Sequence, residues 1–162
     1  MTRASMSGVP EEPIELEIVE PSIDREAVQS TGSVGTVAYP YRFYQGTATI
    51  SRPLLDDRTE KYVVAVDRSR RLTLRADTVP DNIDRRFEDV LVLPSEVTED
   101  HCRDMAEEAV FEWAMRSSML HGSPEISLEG PRDVYKLFWL AEREDGDVLI
   151  DSVEGTERPF ED

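Results

Sequence analysis

Residues 98–119, TEDHCRDMAEEAVFEWAMRSSM, are the stretch on which the predicted fold depends. Thr98 is a favourable N-cap residue, and the two acidic residues after it lie in the first turn, where negative charge stabilises a helix. Apolar residues recur at three- and four-residue spacing, which predicts an amphipathic helix that buries one face against a sheet. The residues of that face are Cys102, Met105, Ala109, Trp113 and Arg116, with Ala106 and Val110 beside them.

Strand-forming residues flank this helix on both sides. Runs rich in β-branched and aromatic residues, bounded by Pro, Gly and Asp, indicate strands. This order predicts an α+β fold, in which an antiparallel sheet of about five to seven strands packs on one long amphipathic helix. The predicted strands are 41–50, 61–67, 71–75 and 87–93 before the helix and 134–140 and 148–151 after it, with 125–128 as a shorter candidate and 53–60 as a charged connection.

The length of the chain, 162 residues, is that of one domain. Residues 1–38 are rich in small and polar residues that cannot bury much surface, so we predict a flexible acidic N-terminal tail. Within it, residues 14–19 alternate apolar and acidic side chains, a pattern that fits an edge strand or a segment that binds a partner by strand addition. Residues 39–158 are predicted to form a single α+β domain.

The charge of the chain excludes several classes of partner. It has 35 Asp and Glu against 18 Lys and Arg, a formal net charge of −17. Nucleic acid and anionic membranes bind concentrated basic patches, so neither is an expected partner. No segment approaches the ~20 apolar residues of a membrane span, and the first residues lack the apolar run of a secretory signal. We therefore expect a cytoplasmic protein with no membrane span.

The basic residues are almost all arginine, because Lys61 and Lys136 are the only lysines among the 18. An acidic chain with so few lysines resembles the cytoplasmic proteins of haloarchaea. That resemblance implies a cytoplasm with molar KCl, where the Debye length of ~3 Å screens the repulsion between carboxylates.

Two parts of the sequence share a pattern. Residues 41–44 and 135–139 are aromatic and carry one basic residue, and each is followed by a β-branched strand that ends in Asp, at Asp67 and Asp151. Two similar hairpins on one sheet would explain the pattern, and chance similarity is the alternative. The arrangement resembles the small α+β modules of PepSY-like domains. That resemblance implies an accessory or inhibitory binding role rather than catalysis.

Residues able to carry catalysis or bind a metal are few. His101 and Cys102 are neighbours on the helix and cannot converge on one substrate, and Cys102 falls on the apolar face, which predicts a buried structural thiol. A zinc site needs about four ligands, and the sequence has one cysteine and two histidines. Acidic pairs such as Asp56-Asp57 are expected on any face of so acidic a chain. Because phosphate-loop, GxSxG and HExxH motifs are also absent, we predict no enzyme, no cofactor and no metal.

The aromatic strands supply the predicted functional surface. Alternation along a strand should turn half of the aromatic side chains outward, and an exposed aromatic face on a charged surface suits a protein partner. We predict a non-catalytic accessory or interaction protein that binds a protein partner through this face or through residues 14–19. The residues assigned to the face are Tyr41, Phe43, Tyr135 and Trp139.

Five arginines support an alternative function. If the turn after Asp67 and the segment before Phe87 lie together, their arginines would form a patch that binds nucleic acid or a small anion, as in a regulatory module. Against this, neighbouring aspartates would pair with the same guanidinium groups, and molar salt would weaken binding to nucleic acid. The arginines are Arg68, Arg70, Arg71, Arg85 and Arg86.

Overall fold

The computed structural model describes residues 12–117 and 122–160. These residues form strands, one α-helix and a short 3-10 turn. The strands are β1 (Ile14–Val19), β2 (Val34–Arg52), β3 (Leu55–Asp67), β4 (Leu72–Ala76), β5 (Asn82–Phe87), β6 (Leu91–Val92), β7 (Glu125–Ala141), β8 (Val148–Asp151) and β9 (Glu157–Pro159); helix α1 spans Glu99–Ser117 and the 3-10 turn spans Arg25–Ala27.

The predicted α+β fold is wrong, because the chain is mostly sheet. Strands make up 52% of the structure and helices 15%, and the nine strands form a mixed sheet instead of an antiparallel sheet packed on a long helix. Among the described pairings, β1 with β7 and β2 with β6 are parallel. The strands are also longer than predicted, since β2 begins before Pro40 at Val34, β3 begins at Leu55, and β7 continues through Gly130 and Pro131. Pro and Gly weaken a strand locally, so the sequence pattern predicts that strands end at these residues. In the structure, pairing with neighbouring strands continues past them.

The chain divides into two compact units, each built from separate segments. Among the described residues, the terminal unit comprises 12–40, 80–94 and 134–160, and the central unit comprises 41–79, 95–117 and 122–133. Strands β2 and β7 each contribute residues to both units.

Strand β1 lies within the segment predicted to be a flexible tail. It pairs antiparallel with β5 from Ile14 to Val19, and Ile18 pairs with Tyr135 of the parallel strand β7. Ile18 is fully buried with apolar residues of β2, β7 and β8, which form the core of the terminal unit. Residues 14–19 therefore add a strand to their own chain. Residues 1–11 of the predicted tail lie outside the described residues.

The central unit packs α1 against β2 and β3. Its core joins side chains of both strands to the predicted buried face of the helix, where Cys102, Ala106 and Val110 are fully buried. Thr98 caps the helix as predicted, because its Oγ1 accepts a hydrogen bond from the amide of His101 at 3.2 Å. Arg116, assigned to the buried face, is exposed, since its charged group stays hydrated. The predicted helix end at residue 119 lies outside the described residues.

The internal similarity in the sequence corresponds to a repeated turn. After β3, the Asp67 oxygen Oδ1 accepts hydrogen bonds from the amides of Ser69 and Arg70, both at 3.0 Å. The Asp67 carbonyl accepts a third, from the amide of Arg71 at 2.9 Å, and Arg71 has a φ of 59°. The aspartate thus closes the turn from β3 to β4 with its own side chain.

The same turn follows β8. Asp151 Oδ1 accepts hydrogen bonds from the amides of Val153 and Glu154, at 2.8 and 3.1 Å. The Asp151 carbonyl accepts one from Gly155 at 2.9 Å, and Gly155 has a φ of 81°. Both hairpins are therefore closed by an Asp that bonds the next amides and by a residue with positive φ.

The pairing of β2 with β3 and of β7 with β8 changes the alignment of the two similar segments that the sequence indicated. Asp67 lies opposite Tyr41, and Asp151 lies opposite Phe138. Tyr41 thus corresponds to Phe138 and not to Tyr135. The likeness therefore resides in the turn that follows each Asp and in the one aromatic residue opposite it, Tyr41 or Phe138.

Candidate functional site

The aromatic residues assigned to a partner-binding face are largely buried. Tyr41, Phe43 and Trp139 are buried and Tyr135 is partly buried. Residues 36–44 of β2 are buried without interruption, so both faces of that part of the strand are covered. Alternating side chains in the sequence could not reveal this burial, because the interpretation of alternation assumes that one face of the strand is in contact with water.

Arg68, Arg70 and Arg71 lie on the turn between β3 and β4 of the central unit. Arg68 donates to a backbone carbonyl at 2.9 Å, and Arg70 Nε donates to Asp67 Oδ2 at 2.6 Å. Arg71 has a side chain that is 66% exposed and pairs loosely with Glu96, at 3.8 Å. Two of these three guanidinium groups are therefore already bound to acceptors of the protein.

Arg85 and Arg86 lie in β5 of the terminal unit. They are opposite Leu16 and Glu15 of β1, and both are exposed. The five predicted arginines thus belong to a turn of one unit and to a strand of the other.

A buried arginine that the sequence analysis did not assign forms an ion pair in the central unit. Arg42 is buried and donates two hydrogen bonds to Asp133, from Nε at 2.6 Å and from a terminal nitrogen at 2.7 Å. The hydrogen bond to Asp133 raises the pKa of Arg42 above its ordinary value, against the opposing effect of burial. Arg42 also lies 3.8 Å from Glu99, and Asp133 lies 3.9 Å from Arg68. Because the carboxylates of Asp133 and Glu99 already match the guanidinium groups of Arg42 and Arg68 in number, a bound anion would have to displace one of the two carboxylates.

The terminal unit contains a comparable buried pair. Lys136 Nζ lies 2.7 Å from Asp151 Oδ2, and both side chains are almost fully buried. This contact uses the second oxygen of the carboxylate that closes the turn after β8. The pair therefore joins β7 to that turn and leaves no open charge for a ligand.

Cys102 is fully buried, as predicted, and burial raises the pKa of its thiol. An enclosed and protonated thiol is a poor nucleophile and a poor metal ligand. Across residues 12–117 and 122–160, no three or more His, Cys, Asp or Glu side chains are grouped so that they could hold a metal ion. The second histidine, His121, lies outside the described residues.

The tip of the β2–β3 hairpin exposes two leucines. Arg52 pairs with Leu55, and Pro53 and Leu54 form the turn between them. Leu54 is fully exposed and Leu55 is 63% exposed, the two highest values among the large apolar side chains of the described residues.

The backbone at Leu54 has a conformation that favours glycine. Its φ of 64° lies in the left-handed region, where a Cβ atom costs about 1–2 kcal/mol. Pro53 before it is typical of the second position of a type II turn, and Gly or Asn is usual at the third. Arg52 Nε donates to the Asp56 carbonyl at 2.8 Å and holds the turn. A fully hydrated leucine at such a position contributes nothing to the stability of the turn itself.

Acidic residues border the leucines. Asp56 and Asp57 follow Leu55 directly, and both are exposed. The tip thus has an apolar centre and a charged border, as the contact surfaces of protein interfaces do. Sequence analysis treated residues 53–60 as a charged connection, because two leucines among charges have no periodicity. The Leu-Leu pair directly after Pro53 is the signal that could have identified the tip.

Comparisons with protein-family models, with curated proteins and with solved structures find no match to this chain. Within the described residues, no helix combines the length and the apolar character that crossing a membrane requires. Functional inference therefore depends on the geometry of the described residues.

Proposed function

We propose that the protein is a non-catalytic accessory protein that binds a protein partner through the tip of the β2–β3 hairpin. Leu54 and Leu55 would enter an apolar pocket of the partner, and Asp56 and Asp57 would face basic residues at the rim of that pocket. The observation that supports this most directly is the full exposure of Leu54 at a backbone position that favours glycine.

Burial of the two leucines would supply most of the binding free energy. Removing an exposed Leu side chain from water contributes about 1.5–3 kcal/mol, and a few anchors seated in pockets dominate most interfaces. The hydrogen bond from Arg52 already holds the turn, so the backbone of the tip loses little conformational freedom on binding. The carboxylates at the border would contribute orientation and association rate more than affinity.

The tip replaces the two docking surfaces expected from the sequence. The predicted aromatic face consists of buried and partly buried residues, and residues 14–19 are paired with β5 along their length. Neither offers an accessible surface, whereas the hairpin tip does.

A cytoplasm with high KCl remains part of the proposal. The net charge of −17 and the scarcity of lysine support it. Charge pairs between proteins weaken at ~1 M salt, whereas contacts between apolar groups do not depend on charge. An apolar anchor is therefore a suitable means of docking in such a solvent.

The test compares the full chain with the variant Leu54→Asn/Leu55→Thr. Asn tolerates a positive φ and Thr favours a strand, so the variant keeps the hairpin and loses its apolar tip. Each tagged protein captures partners from a lysate of the source cells in about 2 M KCl. We expect a stoichiometric protein partner for the natural sequence and at least about tenfold weaker binding for the variant.

The matched control is Phe111→Ala, which removes an exposed aromatic side chain from α1. This control should bind the partner as the natural sequence does, and a cooperative urea transition should show that both variants are folded. The proposal fails if the tip variant binds equally well, or if no protein is captured in stoichiometric amount.

The alternative function, binding of nucleic acid or a small anion, has less support. Arg68 and Arg70 donate to acceptors of the protein itself, which leaves their guanidinium groups less able to bind an anion. The measurement is retention of the protein on heparin in high KCl. Retention that is lost when Arg71 and Arg85 are replaced would favour this alternative over binding through the hairpin tip.

A further inference from the structure

Strand β4 is an edge strand of the sheet. It stands at one end of the strand order and pairs with β3 alone among the described strands. An edge strand presents a row of backbone N–H and C=O groups that can pair with another chain. The edge of β4 is thus a place where a further strand can be added.

Strand β4 lacks several of the features that usually prevent such pairing. Lysine, proline and bulges commonly protect edges, and Leu72–Ala76 has none of them. Its one charged side chain, Arg75, lies over the rings of Tyr62 and Trp113, at 4.7 and 5.8 Å from their centres. Leu74, in the middle of the strand, is 39% exposed.

We infer that β4 pairs antiparallel with β4 of a second copy of this chain, about a two-fold axis at Leu74. In that register Leu74 lies opposite Leu74 of the other copy, and Leu72 lies opposite Ala76. Thr73 lies opposite Arg75, and just beyond the ends of the strand the turn residue Arg71 comes near Asp77 of the other copy. The edge is therefore self-complementary in both apolar contacts and charge, as a two-fold interface must be.

Neighbouring registers are less favourable. A centre at Thr73 places Arg71 opposite Arg75, and a centre at Arg75 places two copies of that arginine opposite each other. Like charges directly opposite each other destabilise a strand pair. In the proposed register, by contrast, the exposed Arg71 and Asp77 gain an oppositely charged neighbour.

Salt should strengthen this association. Two chains of charge −17 repel each other, and raising the salt concentration from 0.1 to 1 M reduces the Debye length from ~10 to ~3 Å. A single pair of short strands buries little surface, so we expect a weak dimer with a Kd on the order of 10 µM or above.

The test is sedimentation of the full chain from about 10 to about 300 µM, in about 0.2 M and about 2 M KCl. We expect a monomer–dimer equilibrium with a larger dimer fraction at high salt. Leu74→Lys places a charge on the two-fold axis and should weaken association at least about tenfold. Asp77→Arg should weaken it as well, because it sets Arg71 against a second arginine, and Arg71→Asp/Asp77→Arg should restore it.

A cross-link tests the register directly. Directly opposite residues of an antiparallel pair have Cβ atoms about 4.5–5.5 Å apart, and a small shift of the strands brings them to the ~3.8 Å of a disulfide, so Leu74→Cys should form a disulfide between copies under mild oxidation. Leu54→Cys, which is more exposed than position 74 but remote from the edge, should not, and buried Cys102 should not compete. Monomers at both salt concentrations, or a dimer that Leu74→Lys leaves intact, would overturn the inference.

This inference stands apart from the proposed function. Leu54→Asn/Leu55→Thr should dimerise like the natural sequence, and Leu74→Lys should still capture the protein partner. A failure of partner binding through the hairpin tip can therefore be distinguished from a failure of dimerisation through β4.

Discussion

Burial determines what the individual charged residues of this protein do. The Arg42 guanidinium group is buried, and its charge is balanced by Asp133, 91 positions away along the chain. Arg71 is mostly exposed and gains little from its loose ion pair with Glu96. The sequence predicts a role for Arg71 and none for Arg42, because clustering of charges is visible in a sequence and burial of one charge is not.

The pair of Arg42 and Asp133 gives a prediction at this scale. Asp133→Ala leaves Arg42 buried with Glu99, 3.8 Å away, as its remaining acidic neighbour, and should lower the free energy of unfolding by about 1–3 kcal/mol. Arg42→Met/Asp133→Ala should cost less than the sum of the single changes, since no unpaired charge remains buried. Urea unfolding of the natural protein and the three variants measures the difference. Strict additivity would show that the two side chains do not interact.

The helix and the strands differ in how far their sequences predict them. The start and buried face of α1 were predicted correctly, because a cap and a 3.6-residue period are local properties. Most predicted strands overlap observed ones but are too short. The predicted strand 87–93 is wrong, because its centre is not extended and lies between β5 (Asn82–Phe87) and β6 (Leu91–Val92). The tip of the β2–β3 hairpin was missed for a related reason, since exposure of Leu54 depends on how strands pair around it.

The packing of α1 on β2 gives a prediction at the scale of elements. A Cβ atom on Gly46 would lie 2.8 Å from Val110 Cγ2 and 3.3 Å from Leu128 Cδ2. Gly46→Ala should therefore push the helix from the strand and lower the free energy of unfolding by about 1–3 kcal/mol. Gly122→Ala is the matched control, because a Cβ atom there meets nothing within 4 Å. Equal stability of the two variants in urea would contradict close packing at Gly46.

The whole molecule carries an excess of negative charge that no single contact offsets. Eight described ion pairs join arginines and one lysine to carboxylates. Acidic residues outnumber basic ones, 35 to 18, so the basic residues cannot balance all the carboxylates and the net charge is −17. Such a chain repels itself in the folded state at low salt. The two compact units therefore fold against an electrostatic cost that depends on the solvent.

Salt dependence of stability is the prediction at this scale. Raising KCl from about 0.1 to about 1 M should increase the free energy of unfolding, because screening reduces the repulsion between carboxylates. The variant Asp104→Asn/Glu108→Gln/Glu112→Gln removes three charges from α1 and should show a smaller increase. Urea midpoints at several KCl concentrations measure both. A midpoint that falls with KCl, or an equal slope for the variant, would contradict this account.

The sequence by itself determined the helix, its cap, the burial of Cys102, the central parts of most strands and the excess of acidic charge. These properties depend on composition and on residues within a few positions of one another. Only the tertiary structure decided the mixed sheet, the pairing of residues 14–19, the burial of the aromatic strands, the bond between Arg42 and Asp133 and the exposure of Leu54. Each of these depends on contacts between residues far apart in the chain, and the order of side chains along a strand does not specify which strand lies beside it or what covers its faces.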